Sequence, residues 1–133
     1  MTTEKFENTL YDTLTMVKHI LGNKAKEYAR EDRLHNFKVA ADLAKTTPEM
    51  ALRGMLAKHI ISVWDLINDL EKGDLADIQM WDEKIIDCIN YFILLRALVF
   101  ERHEDEFKKL EKKLCNEVLE SVKGDVNNAN KTS

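Results

Sequence analysis

The sixteen residues 85–100, IIDCINYFILLRALVF, decide the fold class. Their only clearly polar side chains are Asp87, Asn90 and Arg96, while Tyr91 is amphipathic. A helix that is apolar on all sides is normally buried among other helices. A membrane span needs about 20 largely apolar residues, and this run is shorter and contains two charges. We therefore expect residues 85–100 to form a central helix of a bundle, with no membrane as partner.

The composition of the whole chain favours an all-α fold. Its 133 residues include four glycines and one proline, where average usage would give roughly nine and seven. The length suits one domain that folds without a metal or a disulfide. We predict a helical bundle of four to five helices over residues 1–123, ending in a long charged helix, and a flexible tail over 124–133.

Charge and cysteine content indicate the class of partner and the cellular compartment of the protein. The net charge of -4 argues against a nucleic-acid partner, because nothing gathers phosphate backbones. Cys88 and Cys115 are too few for a disulfide framework and form no CxxC pair. The polar N-terminus lacks the apolar core of a signal peptide. These features predict a cytoplasmic protein.

Apolar spacing places the first two helices. Residues 4–21 carry an apolar stripe at helical spacing, formed by Phe6, Leu10, Leu14, Val17 and Leu21. Gly22 and Asn23 suggest a stop or bend, after which 24–30 could resume as helix. We expect a loop over 31–36 and then a short helix.

Helix three should run from about 48 to 71, with a connection over 72–79. Thr46 and Glu49 fit a capping box, and Pro48 suits the first turn. Its predicted core stripe comprises Leu52, Leu56, Val63, Ile67 and Leu70. Gly54 within this helix suggests close approach of another backbone or a ligand.

The C-terminal part differs in composition. More than half of residues 101–123 are charged, and the apolar residues Phe107, Leu110, Leu114 and Val118 form a narrow stripe. This pattern is typical of a surface or coiled-coil-like helix. It either continues the fourth helix or folds back after a break near residues 103–105.

Two polar lines are the best candidates for chemistry. On the fourth helix Glu83, Asp87 and Asn90 share one face. A buried carboxylate needs a partner, so this line either binds a divalent cation or a ligand, or is structural, with Asp87 in a salt bridge or cap and Glu83 in solvent.

Helix three carries the second line, Lys58, Ser62, Asp65 and Asp69, with His59 beside it. It could equally be an ordinary solvated face. Taken together, the two lines suggest Lys58 or His59 as the partner of Asp87.

Residues 24–37 gather aromatic, amide and cationic side chains. Tyr28, Arg33, Asn36 and Phe37 could stack on a nucleobase and contact its phosphates. Alternatively, the two aromatic residues anchor the core and the charges are solvated.

Four motifs resemble a known family. They are Lys26-Glu-Tyr28; Arg33-Leu-His-Asn36-Phe37; Thr47-Pro-Glu49 leading to Gly54-Met-Leu-Ala-Lys58-His59; and Glu83-Lys84-Ile-Ile-Asp87-Cys-Ile-Asn90-Tyr91. Over roughly residues 20–102 the chain resembles small helical proteins of bacteriophages and prophages. These are relatives of the nucleotide modification associated domain family, which is itself similar to the all-α, MazG-like nucleoside triphosphate pyrophosphohydrolases.

The resemblance implies a nucleotide-binding homo-oligomer in which helix-borne carboxylates hold magnesium on a triphosphate. Glu83 and Asp87 match the family's second acidic helix, although one extra residue separates them here. The match implies that both bind metal, and that both take part in catalysis together with His59. Phosphate contacts are implied for Lys58 and Arg33. The base pocket is implied for Asn36, Phe37, Asn90 and Tyr91.

Helix three departs from the family because the paired glutamates of an active enzyme are absent. A lysine there repels magnesium and attracts phosphate, which favours one metal or none. The leading hypothesis is a nucleotide-binding protein with pyrophosphohydrolase activity. The alternatives are a non-catalytic binder that sequesters a nucleotide or nucleotide-derived signal against host defence, and an interaction protein that acts through its charged C-terminal helix.

Overall fold

The computed structural model describes residues 1–27 and 32–129, and within them it is all-α with no strand. The predicted all-α helical fold is confirmed. The chain divides into two compact units, Met1–Leu98 and Val99–Ser133. The helices are α1, Thr3–Glu27; α2, His35–Ala44; α3, Pro48–Glu71; and α4, Ile78–Ala129.

Two helices continue past the positions where they could have ended. α1 continues through the suggested stop or bend at Gly22 and Asn23. Of the two alternatives near residues 103–105, the structure shows the continuous helix, and α4 extends through Gly124 to Ala129. A single glycine costs a helix roughly 1 kcal/mol relative to alanine, which is too little to end a long one. The prediction that helix ends at residue 123 is therefore wrong. The remaining tail, 130–133, and the expected resumption over 28–30 lie outside the described residues.

Capping side chains and backbone turns set the other helix boundaries. Thr47, and not the predicted Thr46, caps α3 by accepting a hydrogen bond from the Met50 N–H at 3.3 Å. The Asp77 carboxylate accepts from the Met80 N–H at 2.8 Å and starts α4. Gly73, at φ 89°, closes the end of α3 in the left-handed conformation that favours glycine.

The core of the first unit lies where α2, α3 and α4 meet. Leu52 of α3 is completely buried. It packs in one cluster with Leu34, Phe37, Leu56 and Leu98. The N-terminal half of the predicted α3 stripe is therefore core, whereas Ile67 and Leu70 are partly exposed.

Several apolar side chains expected inside are exposed. In α1 only Val17 of the predicted stripe is fully buried, and Phe6, Leu10 and Leu14 are exposed. Phe92 of α4 is 53% exposed, so a single chain does not cover residues 85–100 on all sides. Homo-oligomerisation stays a prediction.

Two further expectations concern close packing and membranes. A Cβ atom built on Gly54 would have no neighbour within 4 Å among the described residues, so no other backbone of this chain approaches this glycine, and the approach of a ligand there stays a prediction. None of the helices formed by the described residues has an apolar stretch that could cross a bilayer.

Candidate functional site

A cavity of about 260 Å³ lies within the first unit, between the end of α1, the start of α2 and the N-terminal halves of α3 and α4. The turn before α2 forms one wall, because the Asp32 carboxylate accepts the Leu34 N–H at 2.9 Å and brings residues 32–37 towards α4. The cavity is lined by Leu21, Lys24, Asp32, Arg33, His35, Asn36, Phe37, Met55, Asp87, Asn90, Tyr91 and Leu94.

Asn90 is the most unusual residue of this cavity. It is only 3% exposed, and neither its Oδ1 nor its Nδ2 has a hydrogen-bond partner among the described residues. Buried amides are normally paired, since each unpaired buried donor or acceptor costs about 1–3 kcal/mol. Trp81 Nε1 is also buried without a described partner, but it does not line the cavity. The Asn90 amide is thus available to a ligand.

Aromatic rings form a second wall. The rings of Phe37 and Tyr91 meet edge to face, with centroids 6.4 Å apart and an interplanar angle of 72°. Tyr91 also packs against His59, with ring centroids 4.9 Å apart and an interplanar angle of 34°. Such a wall suits a flat, apolar-faced ligand.

The carboxylate of Asp87 meets His59 across α3 and α4. Nδ1 of His59 lies 3.4 Å from Oδ2 of Asp87, and both side chains are mostly buried. The prediction that Lys58 or His59 pairs with Asp87 is confirmed for His59. Because Asp87 lines the cavity, the pair can accept or donate a proton at its edge.

Charges on the α2 side are held in defined positions. Lys38 Nζ lies 2.8 Å from Oδ2 of Asp32. This hydrogen bond, and next the Leu34 N–H, lower the pKa of Asp32 below its ordinary value. Nη2 of Arg33 donates to the Leu21 carbonyl at 3.1 Å. Arg33 is thereby anchored to α1, and within residues 1–27 and 32–129 the other N–H donors of its guanidinium have no partner.

Glu83 and Lys58 lie away from this arrangement. Glu83 is exposed and its Oε1 accepts from the neighbouring Lys84 Nζ at 2.7 Å. That hydrogen bond raises the pKa of Lys84. Lys58 is exposed, and neither residue lines the cavity. The structure thus separates Glu83 from Asp87 and Asn90 on the predicted polar line.

Only one of the two predicted magnesium ligands lines the cavity. Magnesium on a triphosphate is usually held by one or two carboxylates that reach the phosphates. Of Glu83 and Asp87 only Asp87 reaches the cavity, and it is matched by His59. The described residues contain no group of three or more His, Cys, Asp or Glu side chains that could hold a metal ion. Magnesium stays a prediction that no step below uses.

Cys88 follows Asp87 on α4 and is partly buried. Burial, and next the Asp87 charge, raise the pKa of its thiol. A raised pKa leaves the thiol protonated and a poor nucleophile. Cys88 is therefore a packing residue of the core, where it contacts the buried cluster.

The cavity unites most of the predicted site residues. Arg33, Asn36, Phe37, Asp87, Asn90 and Tyr91 line it, and His59 contacts two of them. Tyr28 lies outside the described residues.

The sequence analysis assigned no role to Met55 or Leu94. Leu94 was detectable, because it follows Asn90 by one helical turn. Met55 was not, since its position depends on how α3 packs.

Comparison with known proteins adds no family to this description. No family model, curated protein or solved structure matches the chain. The resemblance to the nucleotide modification associated domain and MazG-like proteins therefore stays a prediction.

Proposed function

We propose that this protein binds a nucleotide in the cavity between α1, α2, α3 and α4. The observation that carries the proposal is the buried amide of Asn90, which has no described hydrogen-bond partner and lines the cavity. A protein gains nothing in stability from such an amide. A polar ligand that pairs with it accounts for its presence.

The aromatic wall supports a nucleotide over an aliphatic or purely ionic ligand. Phe37 and Tyr91 present ring surface to the cavity from α2 and α4. Stacking of a base on an aromatic side chain contributes about 1–3 kcal/mol in nucleic-acid-binding proteins. A flat heterocycle is therefore the ligand part that suits this wall best.

A cationic side chain in the cavity supports an anionic ligand. Of the two carboxylates among the described cavity residues, Asp32 is paired with the cation Lys38 and Asp87 contacts His59. Arg33 lines the same cavity and is exposed, and among the described residues its guanidinium contacts a carbonyl and not a carboxylate. Arginine binds phosphate well through its planar fork of N–H donors.

Titration calorimetry with ATP, CTP, GTP and UTP tests the proposal. We expect at least one to bind, and Arg33→Gln to weaken that binding about tenfold, since a hydrogen bond to a charged group contributes about 1.5–3 kcal/mol. Arg53→Gln is the matched control, because Arg53 is exposed on α3 and does not line the cavity. The proposal fails if none of the four binds, or if both arginine variants behave alike.

Hydrolysis of the nucleotide is a second candidate, favoured by the His59 and Asp87 pair. In this scheme the Asp87 carboxylate, which lines the cavity with His59 behind it, accepts a proton from water. The water oxygen bonds to the α-phosphorus as the bond between that phosphorus and the pyrophosphate oxygen breaks. Release of pyrophosphate by the wild type, with and without added magnesium, measures the activity. A large loss in Asp87→Asn would support this role. Tight binding without turnover would instead support a protein that sequesters its ligand.

A further inference from the structure

We infer that the ligand enters base first, so that Asn90 reads the hydrogen-bonding edge of the base and the phosphates stay at the mouth with Arg33. This inference rests on the proposed nucleotide function and adds an orientation and a specificity residue to it. The side chains that line the cavity differ in burial from one side to the other. Asn90 and Phe37 are buried, whereas Lys24, Arg33 and Asn36 are exposed.

The chemistry of the amide decides which part of a nucleotide pairs with it. An asparagine side chain presents an acceptor oxygen next to an N–H donor. A phosphate offers acceptors only, so it would satisfy Nδ2 and leave Oδ1 unpaired. A base edge with an N–H beside an acceptor satisfies both atoms, as in the pairing of asparagine with adenine.

The surroundings of Asn90 agree with a base and disagree with a phosphate. The rings of Phe37 and Tyr91 and the apolar side chain of Leu94 line the same cavity. A phosphate moved into such a wall would lose its hydration without gaining a cation there. Arg33, the anchored cation, is exposed and on the α2 side. The cationic part of the cavity thus suits the phosphate end of a nucleotide, and the part around Asn90 suits the base end.

Exchange of one atom at Asn90 tests the inference. Asn90→Asp replaces the donor by a second acceptor, which suits the paired N–H donors of guanine and no longer suits an edge that pairs a donor with an acceptor. The affinities of the four nucleoside triphosphates, of tripolyphosphate and of ribose 5-phosphate are measured for each protein. Asn68→Asp, on the exposed surface of α3 outside the cavity, is the control.

For the wild type we expect tripolyphosphate and ribose 5-phosphate to bind at least tenfold more weakly than the best triphosphate. Asn90→Asp should shift the preference towards GTP about tenfold relative to the wild type, and Asn68→Asp should not. Asn90→Leu removes both polar atoms and keeps the fold, since it also removes an unpaired buried group. We expect this variant to melt no lower than the wild type and to lose its preference among bases.

The outcomes separate failure of nucleotide binding from failure of the base-first orientation. If no triphosphate binds the wild type, the proposed function itself fails. If triphosphates bind but tripolyphosphate binds equally well, nucleotide binding stands and the base-first orientation is overturned. An unchanged order of bases in folded Asn90→Asp overturns the role of Asn90. Should Asn90→Asp not fold, an unchanged order of bases in Asn90→Leu overturns it in the same way.

Discussion

The two units of this chain are both helical, but they differ in what stabilises the helix. Every fully buried side chain described lies in Met1–Leu98, including the cluster around Leu52. In Val99–Ser133 the described side chains are exposed, apart from a partly buried Glu101. The first unit is stabilised by burial of apolar surface. The second depends on helix propensity and local pairs such as Lys113 with Glu117, 3.9 Å apart.

This contrast shows why a periodic apolar pattern is not enough to identify a core. The stripe Phe107, Leu110, Leu114 and Val118 has helical spacing, and so does the stripe that contains Leu52 and Leu56. Only the second is buried in the single chain. Spacing gives a face, and the presence of another surface decides whether the face is buried.

The largest expected effect compares a leucine in each unit. Leu52→Ala removes a completely buried side chain and should lower the free energy of unfolding by about 2–5 kcal/mol. Leu114→Ala, at an exposed position, should change it by less than about 0.5 kcal/mol. Denaturant titration followed by circular dichroism measures both. Equal losses would break the contrast and indicate that a second copy or another partner buries Leu114.

An effect of intermediate size concerns the start of α3, which carries Leu52. Thr47→Ala removes the side chain that accepts the Met50 N–H and should cost about 1 kcal/mol. Thr46→Ala is the matched control and should cost less, since Thr47 is the N-cap. Melting temperatures of the two variants measure the two losses of stability. A larger loss at Thr46 would restore the capping box predicted from the sequence.

A smaller effect depends on pH and involves the wall of the cavity. The pKa of Asp32 is lowered in the folded protein by Lys38 and the Leu34 N–H. This stabilisation is therefore present above the ordinary pKa of about 3.9 and is lost as pH falls through the lower folded-state value. Because the pair is exposed, the loss should be a few tenths of a kcal/mol. Melting curves from about pH 5 to about pH 3 should fall less steeply for Asp32→Asn than for the wild type.

The smallest expected effect comes from removing most of the second unit. A chain that ends at Arg102 keeps Leu98 and every cavity residue. It should bind nucleotides within about twofold of the full chain, because no cavity residue is lost. Calorimetry on both proteins gives the comparison. Loss of binding in a folded truncated chain would favour the hypothesis that the charged helix is the functional part.

Much of the site was predictable because it follows from positions along single helices. Asp87, Asn90 and Tyr91 share one helix, so helical geometry alone brings them towards one face. The pairing of Asp87 with His59 was predictable in kind, since a mostly buried carboxylate needs a partner. Helical spacing left open whether Glu83 joins them or lies in solvent, and the structure shows it exposed and outside the cavity.

The sequence by itself determined the all-α class, the bounds of α3 and the polar line within the apolar helix. These depend on residues close together in the chain, through turn chemistry and helical spacing. Only the tertiary structure decided that Asn90 has no described partner, that Met55 and Leu21 join the cavity, and that the apolar stripe of α1 is largely exposed. Burial and satisfaction of a polar atom depend on surfaces supplied by other helices, and a linear pattern does not contain them.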